Sequence, residues 1–145
     1  YAQAIADLTT RYNKAYFGIE ANGETVERSG LNVINKLIAL GLGERMYHHG
    51  EGWRDEERQR GWLTTGVTRP VMLGELEEAV RLKGIAPMCR EAVTEMLSFV
   101  RNDKGRPEAA QGAYADHVMS WAGLWQMRKF VRFQSGKRVA APSLW

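Results

Sequence analysis

The chain has 145 residues, 44% of them hydrophobic and 26% charged, with a formal net charge of +3. This length suits a single domain, 1–145, with a core that needs neither disulfide nor metal to close it, and the composition excludes a disordered chain. So mild a charge does not by itself argue for nucleic acid, and no apolar run approaches the roughly 20 residues of a membrane span.

Ile5, Leu8 and Tyr12 recur at helical spacing and predict a helix over residues 3–13. "AYFGIE", residues 15–20, reads as a buried strand ended by the turn pair Asn22-Gly23. Leu31, Ile34, Leu37 and Ile38 mark one face of a second helix, stopped at Gly41. "RMYHH", 45–49, is the second predicted strand. Helix, strand, helix, strand is the rhythm of a parallel α/β sheet. Residues 49–67 break it with a charged stretch rich in Gly and Trp, expected to be a long surface excursion. A helix restarts with Thr68 as cap and Pro70 in its first turn, its apolar face made by Val71, Met72, Leu76, Ala79 and Val80, and its C-cap at Gly84. Residues 95–112 pattern as a β-hairpin turning at Asn102-Asp103-Lys104-Gly105, and a last helix is expected over about 114–133.

Two acids stand out. Glu20 ends an apolar strand, where open α/β sheets gather ligands, although a solvated strand end before a turn is the simpler explanation of the residue taken alone. Asp116 opens the last helix, where it is either an N-cap or an arm of a metal site. His48 and His49 point to opposite faces of a strand and cannot share a metal. With Cys89 as the lone cysteine there is no zinc spacing and no internal disulfide, which fits a reducing compartment. No glycine-rich nucleotide motif is present. Trp121 and Trp125, four apart on a helix, read as core, whereas Trp53 and Trp62 read as candidates for contact. No acid follows Asp116, so the segment holding Arg128, Lys129, Arg132, Lys137 and Arg138 is purely basic, with 128–145 as a basic tail. This suits a phosphate backbone and also the negative end of a helix dipole.

Three stretches, "RYNKAYFGIEANGETVERSGLNVINKLIALG", "GWLTTGVTRPVMLGELEEAV" and "EMLSFVRNDKGRPEAAQGAYADHVMSWA", follow one another in an order that resembles the C-terminal nuclease domain of tailed-phage terminase large subunits. That family carries an acid and Asn at a strand end, a "TRP" helix entry and a closing acidic motif. The resemblance covers roughly residues 1–127. It implies a ribonuclease H-like fold, a mixed sheet flanked by helices. It also implies an endonuclease that cuts concatemeric double-stranded DNA during packaging, in the cytoplasm of the bacterial host. Two divalent cations, Mg²⁺ or Mn²⁺, would be the cofactors, because hard carboxylate oxygens suit such ions. Glu20 and Asp116 match the second and third acids and would be catalytic and metal-ligating. Arg128, Lys129, Arg132, Lys137, Arg138, Arg54 and Arg58 would hold DNA. The ATPase domain of the same subunit, the portal and the small terminase subunit would be the protein partners.

Two departures qualify the resemblance. The family's first acid lies on a strand upstream of the opening helix, and Asp7, on that helix, cannot replace it. The chain, which opens on Tyr1 rather than Met, therefore reads as a piece lacking its N-terminal strands, expected to leave an apolar sheet edge uncovered and to be incomplete as a nuclease. Where the family has His-Asp-Asp, this chain has Tyr114-Ala115-Asp116. The alternative is a non-catalytic, terminase-derived fragment that binds DNA or the portal through its basic end.

Overall fold

The computed structural model describes residues 1–22, 30–49 and 59–131. In chain order these form α1 (Ala2–Arg11), α2 (Gly30–Ala39), a 3₁₀ turn (Gly43–Arg45), β1 (His48–His49) and β2 (Gln59–Arg60). They continue with α3 (Thr68–Arg81), α4 (Arg90–Leu97), β3 (Phe99–Arg101), β4 (Pro107–Ala109) and α5 (Asp116–Met127). The class is mixed α/β. β1 pairs with β2 and β3 with β4, both antiparallel. Among the described residues no helix is long and apolar enough to cross a membrane.

The predicted strand over 15–20 is extended chain that changes partner midway. Phe17 N–H donates to the Arg45 carbonyl and Tyr47 N–H to the Phe17 carbonyl, in parallel sense. Two residues on, Trp62 N–H donates to the Ile19 carbonyl and Ala21 N–H to the Trp62 carbonyl. Neither partner stays long enough to build a regular ladder, so the parallel sheet expected from the sequence is reduced to isolated bridges. Phe17, Ile19 and Ala21 all bond from one edge. On the opposite edge, Tyr16, Gly18 and Glu20 have no backbone partner among the described residues.

This extended layer divides the apolar interior. On one side α1 and α2 pack with Ile34, Leu37 and Met46 almost fully buried; on the other, α3 and α5 enclose Met72, Leu73, Leu76, Val118 and Ala122. Trp62 and Leu63, consecutive in an extended segment, go to opposite sides, as alternation requires. The excursion predicted for 49–67 thus returns to the centre of the fold at Trp62.

Helix ends explain several smaller differences. α2 stops at Gly41 as expected: its φ is +76°, and Leu42 N–H reaches back to the Leu37 carbonyl. After α3 the left-handed residue is Lys83, with φ +57°, while Gly84 N–H returns to the Ala79 carbonyl. A Cβ at Gly84 would meet the Trp125 ring at 3.4 Å, ordinary packing contact. Thr68 is not the N-cap of α3: Val67 holds that position without a side-chain cap bond, and Thr68 is the first residue inside the helix. Thr65 Oγ1 accepts the Thr68 N–H and Thr68 Oγ1 accepts the Thr65 N–H, a reciprocal box one turn earlier. On α1, Ala2, Ile5, Ala6 and Thr9 turn inward, leaving Leu8 and Tyr12 exposed, because small residues let the helix approach the extended layer. On α3 Leu73 is buried, whereas Val71 and Val80 are exposed. Residues 90–97, partly assigned to a hairpin arm by pattern, form α4; the hairpin is confined to 99–109. Its turn falls as predicted, with Asn102 Oδ1 accepting the Lys104 and Arg106 N–H groups.

Candidate functional site

Glu20 and Asp116, far apart in the sequence, line one cleft of about 630 Å³. One wall is the extended segment Gly18–Glu20. The other is the face of α5 carrying Asp116, Met119, Ser120, Gly123 and Met127, one helical stripe. Trp62, Thr64 and Met72 also line it. Both carboxylates are exposed.

Local backbone contacts place Glu20. Its neighbours Ile19 and Ala21 both bond Trp62, which sets Glu20 opposite that residue, and two residues later Asn22 clamps the neighbouring segment. Asn22 Oδ1 accepts the Thr64 N–H at 2.8 Å while its amide donates to the Thr64 carbonyl, so one side chain imitates a strand pair. On the other side Gly30, the first residue of α2, abuts the Glu20 carbonyl so closely that a Cβ would overlap it. Asn22, a turn residue by sequence pattern, is thus also a clamp between two segments. The signal was present in an Asn placed two residues after a strand-end acid. Thr64 Oγ1 is buried and has no hydrogen-bond partner among the described residues, an unsatisfied polar atom in a residue of the cleft wall.

Asp116 is not the cap of α5. The cap position is Ala115, without a side-chain cap bond, and Asp116 is the first residue inside the helix. The N–H groups that a cap would satisfy are taken by a residue from α4: Glu95 Oε2 accepts the His117 N–H at 2.8 Å and the Val118 N–H at 3.2 Å. Glu95 Oε1 also lies 2.7 Å from His117 Nδ1. That hydrogen bond is the main reason the Glu95 carboxyl is held below the usual carboxylate range and the His117 imidazole above its ordinary value. The capping explanation for Asp116 offered by the sequence therefore falls away, and the residue is exposed in the cleft lining.

Glu20 and Asp116 carry hard oxygen donors of the kind that suit a divalent cation such as Mg²⁺ or Mn²⁺. Among the described residues, however, no three His, Cys, Asp or Glu side chains come together as a metal-binding group. Glu20 and Asp116 would supply two ligands and would need a third from elsewhere.

The basic residues are placed differently from expectation. The Arg128 guanidinium lies 3.6 Å from the centre of the Trp125 ring, a cation–π contact. Lys129 Nζ sits 2.6 Å from Glu75 Oε2 and also reaches Gln126 Oε1, tying α5 to α3 and holding the Glu75 carboxyl low. Both charges have intramolecular partners while remaining exposed. Arg54, Arg58, Arg132, Lys137, Arg138 and Trp53 lie outside the described residues. Trp62 is half-buried in the cleft wall, its ring 5.4 Å from that of Tyr47. Trp121 packs in the second apolar cluster as expected.

Comparison with known proteins finds no matching family model, no matching curated protein and no matching solved structure.

Proposed function

We propose that this chain carries two of the acids of a metal-dependent endonuclease site of the terminase type, on a ribonuclease H-like framework, and that its substrate is double-stranded DNA. The observation that carries the reading is the shared cleft of Glu20 and Asp116, together with the transfer of helix capping to Glu95. A carboxylate at the first position of a helix whose cap is supplied from elsewhere is free for other chemistry.

In this reading Glu20 and Asp116 hold the cation from opposite walls. When bound, Mg²⁺ or Mn²⁺ supplies Lewis-acid neutralisation of the charge on the phosphoryl group. Met72, Met119 and Met127 supply the apolar part of the cleft lining beside the two exposed acids. The third acid is expected on an additional strand along the edge formed by Tyr16, Gly18 and Glu20, whose peptide groups have no backbone partner among the described residues.

Nicking of supercoiled plasmid with Mn²⁺ or Mg²⁺ tests this. A chain supplied with a third acid beside Glu20 and Asp116 should nick, chelation should stop it, and the 145-residue chain alone should be far slower. If both chains fold and neither nicks with either ion, the nuclease reading fails and DNA or portal binding through the basic end takes its place.

A further inference from the structure

We propose that Glu95, on α4, is a positioning residue for the cleft: by capping α5 from outside, it fixes the turn that presents Asp116. The inference rests on the nuclease reading of Glu20 and Asp116 and adds a residue that neither the motif nor the cleft lining contains.

The first turn of a helix has N–H groups without intrahelical partners, and an Ser, Thr, Asp or Asn at the cap position ordinarily accepts from them. Here that position is Ala115, among the poorest of caps. Left to itself the turn would fray, and Asp116, its first residue, would move with it. Glu95 prevents this with three contacts to two consecutive residues: the His117 N–H, the Val118 N–H and His117 Nδ1. Its negative charge also sits at the positive end of the α5 dipole.

Glu95 is itself well held. Its side chain is only 12% exposed, against 45% for His117. Its backbone carbonyl accepts both the Ser98 hydroxyl at 2.7 Å and the Ser98 N–H at 3.0 Å, which closes the end of α4. The fixed point is therefore on a different element from the residue it orients, and the position of Asp116 depends on how α4 docks against α5. Glu95 does not line the cleft, so it acts through Asp116 and not as a ligand.

Mn²⁺ affinity of the folded 145-residue chain, read from the electron paramagnetic resonance signal of free Mn²⁺, tests the proposal. Glu95→Ala should weaken binding by about tenfold or more, the usual effect of removing a group that orients a metal ligand. Glu95→Gln, which keeps an oxygen able to accept both N–H groups, should bind close to wild type. A merely stabilising role would lower the melting temperature in Glu95→Ala and leave the affinity of the folded chain unchanged, and that result overturns the proposal. Should Glu95→Ala not fold, Glu95→Asp keeps the charge one methylene short of the two N–H groups. It should also bind Mn²⁺ more weakly, and wild-type affinity there is equally fatal. Asp116→Asn separates the two levels of argument. Wild-type binding by that variant defeats the nuclease reading itself, whereas loss in Asp116→Asn without loss in Glu95→Ala defeats only the positioning role.

Discussion

In a chain long enough to nick DNA, Asp116→Asn and Glu20→Gln should each lower Mn²⁺-dependent nicking by about 10²–10³-fold while leaving the melting temperature nearly unchanged. The magnitude follows from what the substitutions remove. Each exchanges a charged oxygen ligand for a neutral one, a loss of several kcal/mol from cation binding and phosphoryl charge neutralisation, and every 1.36 kcal/mol is about tenfold in rate. The small effect on folding follows from the structure. Both carboxylates are exposed, and the α5 N–H groups rely on Glu95 rather than Asp116. Plasmid nicking and thermal melting on the same preparations check both halves. Nicking within about threefold of wild type in Asp116→Asn would remove that residue from the site, since an inner ligand cannot be so dispensable.

The second large effect concerns the fold. Gly61→Ala should destabilise the protein by about 3 kcal/mol. Gly61 has φ +85°, in the left-handed region where a Cβ is strained. Space is lacking as well: a Cβ would lie 2.6 Å from the Ile19 carbonyl oxygen and 2.9 Å from Ile34 Cδ1. The carbonyl belongs to the bridge between Ile19 and Trp62 and cannot swing aside without breaking it. Gly61 marks the point where the chain leaves Tyr47 and crosses to the segment carrying Glu20, which is why the path bends sharply there. Thermal unfolding should show a fall of roughly 10 °C; a shift under about 2 °C would mean that the crossing is not built as described.

The parts of the fold legible in the sequence were those governed by local rules. The α2 face and its glycine stop depend on helical periodicity and on one left-handed position, both visible in a short window. The hairpin turn at Asn102–Gly105 was legible for the same reason. What local rules could not reach was partner exchange. Nothing between residues 15 and 20 announces that Phe17 will bond to Arg45 and Tyr47 while Ile19 and Ala21 bond to Trp62, because the partners lie in two distant segments. The central position of Trp62 was hidden likewise, behind a charged stretch that reads as surface.

The candidate site shows the same division. Glu20 and Asp116 were singled out from a strand end and a helix start, and the structure brings them to one cleft. Their structural alternatives could be weighed only in three dimensions, where Glu95 takes the capping role from 22 residues away. Arg128 and Lys129 looked available because the stretch after Asp116 contains no acid. Their partners, Trp125 beneath one and Glu75 on α3 beside the other, are a ring and a carboxylate that net-charge counting does not register.

The central claim is that the two carboxylates hold one metal site, and the most direct measurement is to locate the ion. Crystals containing Mn²⁺ should show an anomalous-scattering peak in the cleft, within about 2.0–2.6 Å of an oxygen from both Glu20 and Asp116. Peaks only at other surface acids, with the cleft empty at saturating Mn²⁺, would contradict the claim.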